Sequence, residues 1–268
     1  MDRPPSNAVE IRKIRRYVRN AETEVNKLGI IPRNANRYPF DHVGLQTLSK
    51  AFALSKACLE LLDSGFPDEA YGLSRSLVEC AANLRYLTID QVQEKQRTRN
   101  FVKYAKTAKA YWMYQALQIA DAKKQVEIRE YAKQQGIVED ARSALRHWSG
   151  ENGSLPWVVA LTDHRLDAPT VSSTQRKIAY AADYHDTSAF VHCSLPAIDP
   201  YNTEEYTPFR VAPSSGMHNT NQHTLTIILT YLHASIAYVL FGINTERPAK
   251  LNSLFMETLK KMKRKSSK

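Results

Sequence analysis

Apolar residues recur in steps of three and four through successive segments of this chain, the period of an amphipathic helix. Ile11, Ile14, Val18, Ala21, Val25 and Leu28 trace a coiled-coil-like seam over residues 7–28, flanked by basic residues. The seam can dock on the rest of the chain or pair with a second copy. Gly29, Pro32, Asn34, Asn36 and Pro39 then mark a linker. A second helix is expected from Asp41, placed to cap it, to about Leu62, with Leu48, Phe52 and Leu59 among its apolar positions. The short turn at Asp63-Ser64-Gly65 leads into GFPDEAYGLSRSLVECAANLRYL (65–87), so these two helices should form an antiparallel hairpin.

The stretch 65–87 organises the rest. Pro67 suits a first helical turn, and Asp68 and Glu69 place negative charge where the helix dipole favours it. Leu73, Leu77, Cys80, Ala81, Leu84 and Leu87 share one face. Tyr71, Gly72, Arg75, Glu79, Ala82 and Tyr86 share the other, and no lysine occurs between Lys56 and Lys95. A wet face normally carries lysine, so this second face is expected to be partly buried, with Arg75 and Glu79 as a pair held in a dry place. They are either an ordinary pair one turn apart or a pocket wall, a guanidinium fork for an anion oriented by a carboxylate.

Further helices are expected over about 93–120, over 122–147 with a break near Gly136, over 174–195, over 219–243 and from Pro248 onward. Arg99, Lys103 and Lys106 form a basic stripe on the first of these, interleaved with Phe101, Tyr104, Tyr111 and Trp112. That mixture either stacks on and neutralises a nucleic-acid strand or is an ordinary core face backed by a wet one. The stretch HWSGENGSLPW (147–157) is a loop anchored by Trp148 and Trp157, and 196–217, with four prolines, is a long loop before the last core helix. The run 219–243 approaches membrane-spanning length, but His223, His233, Ser235 and its threonines indicate a buried core helix, so no membrane span is expected. The expected architecture is all-α: a multi-helix bundle around a central antiparallel hairpin, with a basic N-terminal helix and linker (1–39), a core domain (40–245) and a C-terminal helix with a basic tail (246–268).

Composition agrees with this. Nine glycines in 268 residues is about half the usual share. The three cysteines, Cys58, Cys80 and Cys193, have no paired spacing, and the polar start MDRPPSNAVE is not a signal peptide, so a reduced cytoplasmic protein is expected. The net charge of +10 resides at the two ends, since residues 11–19 and 257–268 each carry a net +5. Such ends are either solubilising tails or attractors of phosphate, in nucleic acid or anionic lipid, so RNA or another phosphate-bearing partner is expected there.

No motif names a reaction. A glycine-rich phosphate loop, GxSxG, HExxH and CxxC are all missing, so no cofactor and no metal are expected, and the acids and histidines near Asp183 and His192 have no diagnostic ligand spacing. On 174–195, Tyr184, Ser188 and His192 form one polar stripe, either a satisfied buried histidine with its neighbours or a proton-transfer edge. Arg142 and His147 have the arginine–x4–histidine spacing of the helical HEPN-type ribonucleases, although Ser143 stands where that family favours asparagine, aspartate or histidine.

The order of these features resembles the bacterial domain of unknown function 5677, over about Asp41 to Leu240. The matching parts are Arg75-x3-Glu79, Trp148-Ser149-Gly150 and Tyr184-x3-Ser188-x3-His192. The resemblance implies an all-α fold and brings no established reaction. It also implies that Arg75, Glu79 and His192 belong to one shared site, with Tyr184 and Ser188 supporting. The expectation is a helical protein acting on RNA as a metal-independent HEPN-like nuclease, a toxin or defence effector, with Trp148, Arg142, His147, Arg99, Lys103 and Lys106 as binding residues and a two-fold homodimer through the 11–28 seam. The alternative is a non-catalytic binding or assembly module in which Arg75, Glu79 and His192 are a structural network.

Overall fold

The structure, a computed structural model, describes residues 8–134, 218–246 and 248–263, without the side chains of 104–115, 218–220 and 263. The described residues form seven helices and no strand: α1 (Ala8–Lys27), α2 (Pro39–Asp63), α3 (Pro67–Thr88), α4 (Glu94–Ile119), α5 (Ala122–Gln134), α6 (His218–Gly242) and α7 (Ala249–Lys263). The protein is an all-α bundle, and one hydrophobic core runs through α1, α2, α3, α6 and α7.

The α2–α3 hairpin closes as its turn residues require. Gly65 adopts φ +83°, open to glycine at no steric cost, and the Phe66 and Gly65 amides reach back to the Leu61 and Leu62 carbonyls. At the other end of α2 the structure departs from expectation. The helix begins at Pro39, and no side chain caps it. Asp41, expected as the cap, lies in the first turn and is taken by Arg33 instead, through bonds of 2.7 Å from Nε, 2.7 Å from Nη2 and 3.0 Å from the backbone amide. A bidentate charged partner outcompetes a neutral amide cap.

α6 packs most extensively against α3 and then α2. Tyr71 meets His223 edge-on at 5.8 Å, and Arg85 lies over Tyr238 at 5.5 Å, so α3 and α6 run parallel for about 20 Å. α2 lies antiparallel to both. Near its start, Phe40 is fully buried against Gly44 and Gly242; a side-chain carbon at Gly242 would overlap its ring, and one at Gly44 would touch it tightly. The 22 residues Asn221–Gly242 form a helix long and apolar enough to cross a membrane, yet much of its surface is covered by the bundle. Its buried Ser235 donates to the Tyr231 carbonyl at 2.7 Å, which lets a hydroxyl sit in an apolar core.

The α1 seam docks on the body. Ile11, Ile14, Val18 and Ala21 are essentially inaccessible, each isoleucine or valine contributing about 1.5–3 kcal/mol of burial. A dimer through this seam would have to expose those side chains again. Arg15 reaches Glu60 (3.2 Å) and Asp63 (2.5 Å) at the end of α2, while Glu22 holds Lys56 at 2.7 Å, setting α1 antiparallel to α2. Of the expected boundaries, position 245 falls between α6 and α7, whereas 39 is the first residue of α2, and the core includes residues on both sides of each.

Candidate functional site

α3 carries the first half of the expected site. Its N-terminus has Pro67 in the first turn, followed by Asp68 and Glu69. Arg75 and Glu79 fall one turn apart, and Arg75 Nε donates to Glu79 Oε1 at 3.1 Å. Around them Tyr71, Ala82 and Tyr86 are buried, as a second covered face requires. The pair itself is not dry: the Arg75 side chain is 18% exposed and that of Glu79 42%. The guanidinium is therefore largely enclosed while its carboxylate partner reaches the surface. Holding Nε fixes the plane of the fork, which a flexible ammonium could not offer.

Cys80 lies beside this pair as a buried thiol. Burial, helped by the Glu79 charge, pushes its thiol up to about 11, and burial pushes that of Cys58 up to about 12. Both are free thiols, protonated at neutral pH. Among the described residues no group of three His, Cys, Asp or Glu side chains is placed to hold a metal.

The other expected residues divide in two. Arg99 and Lys103 are exposed on α4, and Arg99 donates to the Asn36 carbonyl at 3.4 Å. The side chain of Lys106 and all of Arg142, His147, Trp148, Tyr184, Ser188 and His192 lie outside the described residues. The structure thus describes two of the three residues Arg75, Glu79 and His192.

It also shows a charged cluster that sequence reasoning missed. Arg33 stacks over Tyr38 at 3.9 Å while clamping Asp41, which is only 3% exposed, and His42 Nε2 bonds the Arg33 carbonyl at 2.9 Å. Burial alone would raise the Asp41 pKa, but the side-chain and backbone bonds from Arg33 outweigh it and hold the carboxyl below its ordinary value. Glu94, at the start of α4, behaves oppositely: burial and then the Asp41 charge push it up to about 6, against the pull of Arg33. Arg33 and Asp41 are eight residues apart, across a linker, a spacing with no helical or strand period to betray it.

A third arrangement joins the two ends of the chain. Lys13 donates to the Lys261 carbonyl at 3.2 Å, and Lys250 pairs with Glu24 at 2.8 Å, so α1 and α7 lie antiparallel.

The model for the family of unknown function DUF5677 matches residues 41–207. The chain belongs to this family. The match takes in α2 to α5 and the segment beyond, and so includes Arg75, Glu79, Trp148, Tyr184, Ser188 and His192. It stops short of α6, although α6 is the main packing partner of α3. No curated protein and no solved structure matches the chain.

Proposed function

We propose that this DUF5677 protein acts on RNA in the cytoplasm as a metal-independent, HEPN-like endoribonuclease, with a toxin or defence role. The observation that carries the proposal is the Arg75–Glu79 pair: a largely enclosed arginine, oriented through Nε, whose partner carboxylate opens to solvent. An oriented guanidinium near the surface suits the non-bridging oxygens of a phosphate.

In this proposal His192 takes the proton of a ribose 2′-hydroxyl. The 2′-oxygen attacks the adjacent phosphorus, the bond from phosphorus to the 5′-oxygen breaks, and the 5′-oxygen takes its proton from the protonated His192. Arg75 offsets the charge that gathers on the phosphoryl oxygens, Glu79 holds Arg75, and Tyr184 and Ser188 orient the histidine. Trp148, Arg142 and His147, with the Arg99–Lys103–Lys106 stripe, contact the strand. The products are a 2′,3′-cyclic phosphate and a 5′-hydroxyl. Incubating the full chain with single-stranded RNA in excess chelator tests this: wild type should cleave and His192→Ala should not. Intact RNA with wild type, with or without divalent metal, would remove the enzymatic claim.

A binding module without chemistry is the second reading, favoured by the pairing of the basic helices α1 and α7. It predicts retention of RNA with no cleavage by either protein.

A further inference from the structure

Arg12, Arg16 and Arg19 on α1 and Lys260 and Lys261 on α7 lie near opposite ends of the sequence, but the antiparallel α1–α7 pair brings them together. The N-terminal half of α1 lies beside the C-terminal half of α7. Lys13 is bonded to the Lys261 carbonyl, and Glu257 pairs with Lys261 while Lys261 and Arg16 together hold its carboxyl below the ordinary value. At 100° per residue, Arg12, Arg16 and Arg19 fall within about 60° of one another, opposite Ile14, Val18 and Ala21 in the core. All three arginines are exposed, as are Lys260 and Lys261 on the neighbouring helix.

We infer that the paired outer faces of α1 and α7 form one composite surface that holds the phosphate backbone of a single-stranded nucleic acid. This extends the proposed function by naming where the polymer is gripped, and rests on that reading only for the choice of RNA. Three observations favour a polyanion. The charges sit on rigid helices docked on the core, so little entropy is lost on binding. Arginines dominate the outer stripe, and their planar forks match phosphate oxygens. The apolar residues of both helices, such as Ile11, Ile14 and Leu251, are buried in the bundle, which leaves no continuous apolar face to enter a lipid surface. Val9 and Met256 are the half-exposed exceptions, one on each helix.

The test uses the full chain carrying His192→Ala, so that binding is read apart from cleavage. Anisotropy of a fluorescein-labelled single-stranded RNA is measured across a salt series, beside vesicles of phosphatidylserine and phosphatidylcholine. Five bases engaging phosphates predict a log–log salt slope of about −3.5. In the same background, Arg12→Gln/Arg16→Gln/Arg19→Gln should weaken binding by at least about tenfold and flatten the slope to about −1.4. Lys260→Gln/Lys261→Gln, on the other helix, should also weaken binding, which a surface built from α1 alone would not show. Thermal melts should be unchanged, because the five side chains are exposed. If the triple variant binds RNA as tightly as its parent, or if the parent binds the vesicles and not RNA, the inference is overturned. Cleavage can fail in the separate assay without touching this result.

Discussion

The Tyr17 hydroxyl lies 2.9 Å from Nδ1 of His233, across 216 residues of sequence, and the His233 ring stacks on Phe255 at 4.0 Å. One buried histidine therefore ties α1, α6 and α7 together. Replacing Tyr17 by phenylalanine keeps the ring and removes the hydrogen bond inside an apolar junction. The expected loss is about 1–2 kcal/mol of stability, read as a lower urea midpoint with an unchanged slope. An unchanged midpoint would show that the bond contributes nothing to docking α1.

Gly242 faces the edge of the Phe40 ring, and a side-chain carbon there would overlap it; at Gly44 the same ring lies 3.0 Å away. Phe40 is fully buried and cannot swing aside cheaply. Gly242→Ala should cost about 1–3 kcal/mol, and Gly44→Ala less. Phe40→Leu in the Gly242→Ala background should recover part of the loss, seen as a positive coupling in a double-mutant cycle of thermal melts.

Glu94 gives the stability a pH dependence with a definite sign. Its ordinary value is 4.5, and burial, then the Asp41 charge, raise it to about 6 in the folded protein. Between these values the folded chain keeps a proton that the unfolded chain has lost, so this group makes stability fall as pH rises from about 4.5 to 6. Above that window Glu94→Gln should raise the melting temperature, and below 4.5 the two proteins should coincide. Asp41 works the other way: its lowered value contributes stability that is lost only as the pH falls below the ordinary carboxylate range. A Glu94→Gln protein no more stable than wild type at pH 7.5 would contradict the assignment.

The helices were legible because their apolar spacing is regular. The spans of α3 and α4 and the all-α class follow from residues such as Leu77, Leu84 and Phe101. Periodicity says which face is apolar but not what covers it. The Ile11–Leu28 seam suits a second copy as well as its own chain, and only the packing of Tyr17 on His233 and Phe255 shows which neighbour is present. Asp41 looks like a cap because it starts an apolar run, whereas the partner that claims it sits in an irregular linker. The Arg75–Glu79 pair was legible from its one-turn spacing, but the absence of lysine overstated how deeply Glu79 is buried. The convergence of the two basic ends could not be read at all, since charge runs carry no information about distance.

Arg75 should behave as a working residue and not as a structural one. Its bond to Glu79 lies within one helix and is half open, and such a pair contributes about 0.3–0.5 kcal/mol at most. Loss of the Glu79 bond alone should move the melt by only a degree or two, so a cleavage defect in Arg75→Ala is read on protein shown by its melt to be folded. Arg75→Lys keeps the charge and loses the fork, so it should restore RNA affinity more than cleavage.

The most direct test of the central claim pairs two readings on the same samples, the rate of 2′,3′-cyclic phosphate formation from single-stranded RNA and the melting temperature, for wild type and Arg75→Ala. A loss of cleavage of at least about a hundredfold in a protein that still melts as a folded chain is the predicted result. Cleavage undiminished in Arg75→Ala, or a protein that unfolds without Arg75, would contradict the account.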